Sequence, residues 1–242
     1  FFARFTSTSA WQLKVFRSLV SCYTWGAAID LHATTGATEA SGGGGPCIQL
    51  SNGRIVYMTN VSDTGGFFSA KLLYSDDDAL TWTLGPTIAN GTADSKNYTE
   101  PGIVKTGGSF PTETLLCLLR NDTEGLIAKA SSADSGATWS ILSTVVTSAS
   151  SRPWIFKAAS GNLILLCRTT TSNNRAIAGW SDDDGATWHI SATGYWLDGL
   201  DAFNHYASAI PDVTPGMHYI ALASPIAGTA PVLSIPRHEW VR

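Results

Sequence analysis

A carboxylate, a guanidinium and a phenol stand at matching points of a repeating chain: Glu100, Arg152 and Tyr206, with Gly45 at the same point of an earlier unit. Three further arginines sit close to apolar runs. Arg120 ends Leu115 to Arg120, Arg168 follows Leu165-Leu166-Cys167, and Arg175 opens Arg175-Ala176-Ile177-Ala178. Guanidinium forks bind carboxylates through paired, charge-assisted hydrogen bonds. Brought together, such groups suit a small ligand that carries a carboxylate and hydroxyls. Other chemistries find no support. No zinc-ligand spacing, phosphate loop or Ser-His-Asp motif is evident. The acidic runs Asp76-Asp77-Asp78 and Asp182-Asp183-Asp184 lack the spacing of a calcium loop. No metal is expected.

The elements that would position these residues come from an internal repeat. Three segments share Ser-x-Asp-x-Gly-x-Thr-Trp: Ser75 to Trp82, Ser132 to Trp139 and Ser181 to Trp188, the first with Ala79 in place of Gly. A worn copy runs from Ser18 to Trp25 and keeps Ser18, Thr24 and Trp25. The pattern predicts a hairpin turn. The Asp side chain accepts turn N–H groups, Gly takes positive φ, and Thr-Trp opens the next strand. Each turn follows three strand-like runs, as in Glu100 to Val104, Leu115 to Arg120 and Leu126 to Lys129. The spacing between turns is 57, 57 and 49 residues, which suits four-stranded blades. The expected fold is all-β: a β-propeller of four-stranded antiparallel blades, five to six in number, forming a single domain over residues 1–242. In such a fold the aligned residues open the innermost strands and converge on one mouth of the axial channel. Residues 1–34 and 218–242 are expected to complete one blade between them and close the ring.

Composition agrees. Of the 242 residues, 44% are hydrophobic, enough for a sizeable core, and 14% are charged. The net charge is −4 with no Lys/Arg run, which argues against nucleic acid as a partner. No apolar run reaches the length of a membrane span. Cys117 and Cys167 recur in equivalent Leu-Leu-Cys runs and are expected to be buried free thiols. Sequons at Asn60, Asn90, Asn97 and Asn121 weigh little in a chain so rich in Ser and Thr.

The repeated turns resemble the Asp boxes (BNR repeats) of the sialidase, or neuraminidase, superfamily, and the resemblance covers nearly the whole chain. Further elements are similar. Glu100-Pro101-Gly102-Ile103-Val104 followed by Leu118-Leu119-Arg120-Asn121 looks like the family's Glu strand and Arg strand. Arg175 resembles the family arginine that leads into an Asp box, and Tyr206 stands where its nucleophilic Tyr does. The resemblance implies a glycoside hydrolase for terminal acidic sugars such as sialic acid, with no cofactor, in a secreted or surface-associated protein; a homo-oligomer is compatible. It implies Tyr206 as nucleophile, Glu100 as its base, and Arg120 with Arg175 as the carboxylate clamp, with Arg152 and Arg168 as further candidates. A neutral phenol suits this substrate, because an anionic nucleophile would be repelled by the sugar's carboxylate.

Two registers are open. In one, Glu100 and Arg120 are third-blade residues, and a blade with the family's first Arg and acid Asp precedes this chain. In the other, Gly44-Gly45-Pro46 is the remnant of the first motif and Asp63 is the acid. Plainer readings stand beside these: Glu100 and Arg152 as a structural ion pair between blades, Tyr206 as a core aromatic, Arg175 as a solvated loop residue, and the whole chain as a glycan-binding propeller without catalysis.

Overall fold

A computed structural model describes residues 2–7, 11–18, 24–31, 34, 36, 40–43, 45–62, 65–149, 151–168, 176–190, 206–214, 217–223 and 232–236. It is built from five antiparallel sheets in chain order. The first holds β1 (Phe2–Ser7), β2 (Trp11–Phe16) and β3 (Ile29–Asp30). The second holds β4 (Ala40–Gly42), β5 (Ile48–Gln49), β6 (Ile55–Ser62), β7 (Phe68–Ser75) and β8 (Thr83–Ala89); β4 and β5 both pair with β6, so its inner strand is broken in two. A single helical turn, α1 (Gly91–Asp94), follows, capped by the Asn90 side chain. The third sheet is β9 (Tyr98–Gly107), β10 (Thr114–Asn121), β11 (Leu126–Ser132) and β12 (Ser143–Thr147). The fourth is β13 (Trp154–Lys157), β14 (Leu163–Arg168), β15 (Ala176–Ser181) and β16 (His189–Ile190). The fifth is β17 (Tyr206–Thr214), β18 (Met217–Ala223) and β19 (Val232–Pro236).

Sequence dictates how the sheets stack. Leu115 to Leu119 are all buried, so the run shows no polar alternation. Both faces of the third sheet are covered, as such runs require. Leu115, Cys117 and Leu119 pack with Leu72 and Met58 of the second sheet. Leu116 and Leu118 face the other way, onto Ile155, Leu163 and Leu165 of the fourth. Each such leucine contributes about 1.5–3 kcal/mol on burial. The Cys117 and Cys167 thiols are free and buried as expected, and burial pushes the Cys167 thiol up to about 12. Buried Glu113 adds a polar staple: it accepts the Ser51 N–H at 2.8 Å and Lys105 Nζ at 2.5 Å, tying the second sheet to the third.

The repeated turns share one geometry. In the third sheet, Thr138 donates to Asp134 through N–H at 2.8 Å and Oγ1 at 2.6 Å. Ser132 Oγ donates to the same carboxylate at 2.8 Å and accepts the Gly136 N–H at 2.9 Å. The Ser75 and Ser181 turns repeat this pattern. Gly136 and Gly185 have φ of 90° and 89°, and Ala79 is carried at 65°. The Thr-Trp pair leads directly into β8 and β16, whereas β12 begins only at Ser143.

The inner strands lie side by side: β4 and β5 beside β9, β9 beside β13, and β13 beside β17. One expectation fails. Residues of the first and last segments form two separate three-stranded sheets instead of sharing a blade, and the sheets do not close into a ring among the described residues. The last strands find their partners locally, with β17 pairing β18 and β18 pairing β19 through consecutive antiparallel connections, so that among the described residues this sheet takes no strand from the first segment.

Candidate functional site

Strand register separates two ends of each sheet. In the third, Asn121 pairs with Tyr98 and Leu126, while Leu115 pairs with Lys105 and Ser132. The repeated turn after Ser132 therefore lies at one end, and Glu100 with Arg120 lies at the other. This second end is where the innermost strands open.

Close backbone approach brings those openings together. A Cβ on Gly102 would stand 3.2 Å from the Pro153 carbonyl oxygen, and one on Gly45 would stand 3.6 Å from Gly102 Cα. One on Gly43 would meet the Pro101 carbonyl oxygen at 2.2 Å, so only glycine fits there. The residues that the repeat aligns, Gly45, Glu100 and Arg152, thus flank one continuous line of contact across three sheets. Tyr206 opens β17, the inner strand of the next sheet, beside β13; its side chain lies outside the described residues. Asp63 and Arg175 lie outside them altogether.

Glu100 and Arg120 meet directly. Arg120 Nη1 donates to Glu100 Oε2 at 3.0 Å, and Arg120 Nε sits against Asp122 Oδ1. Asp122 also accepts the Thr99 hydroxyl at 2.9 Å. The two carboxylates flank the guanidinium, which is partly buried at 24% side-chain exposure. Glu100 pairs within its own sheet, with Arg120.

Glu100 also has an unusual backbone. Its φ is +50°. The β9–β10 register slips at this point, since Leu118 faces Gly102 but Arg120 faces Thr99. Glu100 and Pro101 therefore oppose Leu119 alone, which is a β-bulge. Pro101 has no N–H to pair, so a bulge is a position it tolerates. The Glu100 N–H donates instead to Asn60 Oδ1 on β6, at 3.1 Å.

Arg152 precedes β13, with its guanidinium 5.5 Å from the Trp154 ring centre. Both line a cleft of about 620 Å³ along the broken inner strand of the second sheet, together with Gly43, Gly45, Cys47 and Tyr57. Burial pushes the Tyr57 phenol up, and the Cys47 thiol up to about 12, so both are neutral at ordinary pH. Arg168 ends β14 opposite Ala176, at the same end of the same sheet as Arg152. Sequence reasoning missed Asn60, Asp122 and Trp154. Asp122 stands two residues after Arg120, just past the end of β10, and Trp154 two residues after Arg152, at the start of β13, and both were legible from that spacing. Asn60 offered only a sequon.

No protein-family model matches the chain, and no curated protein sequence matches it. Solved structures do match. A Hadza microbial sialidase shares 20% identity over 95% of this chain, at a TM-score of 0.70. A Dyadobacter fermentans protein of unknown function shares 16% over 96%, at 0.71. A Trypanosoma rangeli sialidase in complex with the inhibitor DANA shares 17% over 96%, at 0.65. This chain spans 44%, 66% and 40% of those three chains. At such identities the likeness is one of architecture: this chain has a sialidase-like fold of β-propeller blades.

Proposed function

We propose that this chain is a sialidase-like glycoside hydrolase acting on terminal acidic sugars of glycans, at the end of the sheets where the inner strands open. The observation that carries this is the Glu100–Arg120 pair, held at 3.0 Å between the inner strand β9 and its neighbour β10, while Arg152 stands just before the adjacent inner strand β13 and Tyr206 opens β17. The sialidases among the fold neighbours support the substrate class. In this reading the Tyr206 oxygen bonds to the anomeric carbon and Glu100 takes its proton. Arg120 and Arg175 bind the sugar carboxylate, aided by Arg152 and Arg168. Asp63 protonates the leaving oxygen, and water then releases the sugar from Tyr206. The repeated turns are Asp boxes and serve the fold. A surface or secreted location follows from glycan substrates.

One observation favours a second reading, a propeller that binds glycans without cleaving them. Glu100, the proposed base, is held on Arg120 at 3.0 Å, a fixed ion pair that a binding site can use without any proton transfer. Hydrolysis of a fluorogenic sialoside by the chain and by Tyr206→Phe decides between them. Turnover abolished by the substitution is expected. A folded chain with no turnover on any acidic sugar, but with measurable sugar affinity, would replace hydrolysis with binding.

A further inference from the structure

Seven described non-glycine residues have φ between +50° and +65°. Asp78, Ala79, Ser135 and Asp184 belong to the repeated turns, Ser95 caps α1, and Ser148 follows β12. Glu100 alone lies inside a strand. A left-handed residue with a long side chain disfavours the fold locally and persists only where its surroundings fix it. The bulge accounts for the missing ladder pairing, but it does not fix the sign of φ. A bond from another sheet supplies the restraint. Asn60, 2% exposed on β6, accepts the Glu100 N–H at 3.1 Å. That bond points the peptide into the second sheet and leaves the Glu100 side chain on Arg120. A purely structural ion pair needs no such backbone, because an ordinary strand residue one position away would reach Arg120 without strain.

We infer that Asn60 is a positioning residue: it holds Glu100 in the left-handed conformation across the sheet boundary and so aims the carboxylate at the site. The functional half of this inference rests on the proposed acidic-sugar site; the conformational half does not. Thermal unfolding of the 242-residue chain tests the conformational half. Glycine in a strand is ordinarily less stabilising than alanine. Here the order reverses, and Glu100→Gly melts about 2–4 °C above Glu100→Ala, the shift expected for relieving one strained residue in a chain of this size. In an Asn60→Ala background the difference shrinks toward zero, and in Asn60→Asp, which keeps the accepting oxygen, it survives. The Glu100 comparison in the otherwise unchanged chain stands even if Asn60→Ala does not fold. Glu100→Gly melting no higher than Glu100→Ala overturns the strain. An unchanged difference in Asn60→Ala overturns the role of Asn60. The functional readout is sialoside turnover, where Asn60→Ala lowers kcat at least tenfold with little change in KM; an unaltered kcat would remove the positioning role. A wild-type chain without turnover would overturn the hydrolase reading instead. The same split is then read as sugar affinity, which Asn60→Ala weakens if Asn60 positions the site and leaves unchanged if it does not.

Discussion

The two ends of each sheet are built on opposite plans. At one end three turns repeat the same Ser, Asp and Thr contacts to within about a tenth of an ångström. The Ser, Asp and Thr side chains of each turn answer one another within that turn. At the other end the equivalent position holds Gly45, Glu100, Arg152 and Tyr206, four residues with four chemistries. The repeat is kept where a hairpin must be made and broken where a ligand would be met. A scaffold role calls for sameness, since each blade faces the same packing problem. Recognition calls for difference, since one ligand presents different groups on different sides.

Damage to the turns should therefore register in stability and leave ligand affinity alone. The largest effect is expected at Gly185→Ala. A Cβ there would stand 2.4 Å from Leu116 Cδ2 and would sit on a backbone at φ +89°. Strain and overpacking together cost about 2–4 kcal/mol, read by urea unfolding. Gly136→Ala sharpens the point. It has the same φ but only ordinary contacts, at 3.4 Å or more, so it should cost about 1 kcal/mol. Equal costs at the two glycines would show that close packing between blades matters little.

Acid should loosen the same end. Hydrogen bonds from Thr81 and Thr187 hold the Asp77 and Asp183 carboxyls down at about 2. Their folded values lie below the unfolded value near 3.8, so their contribution is complete above about pH 4 and is lost as pH falls toward about 2. Melting temperature followed from pH 5 to pH 2 should drop across that window, and a flat profile would contradict the turn chemistry. The smallest stability effect is expected at the opposite end. Arg120→Ala removes a partly exposed ion pair and should cost about 1 kcal/mol or less. It should nonetheless weaken acidic-sugar binding at least tenfold, measured by calorimetric titration.

The turns were legible in the sequence because their contacts span no more than four residues, so spacing alone defines them. The sheet order followed from the repeat for the same reason. Glu100 was legible as a candidate from the aligned units and the family resemblance, and Arg120 from the resemblance, and they do meet. What escaped was non-local. Asn60 acts across 40 residues and a sheet boundary, and no periodicity encodes that contact. The broken inner strand of the second sheet, which makes room for the Arg152 cleft, reads in the sequence only as a Gly-rich stretch. The shared terminal blade was inferred from a need for closure, whereas the local pairing of β17, β18 and β19 gives those strands partners without it.

The contrast between the two ends is tested most directly by amide NMR during titration with N-acetylneuraminic acid. The account predicts shifts at Gly102, Arg120 and Trp154, and none at Gly136 or Gly185. Shifts centred on the repeated turns, or none anywhere at millimolar sugar, would contradict it.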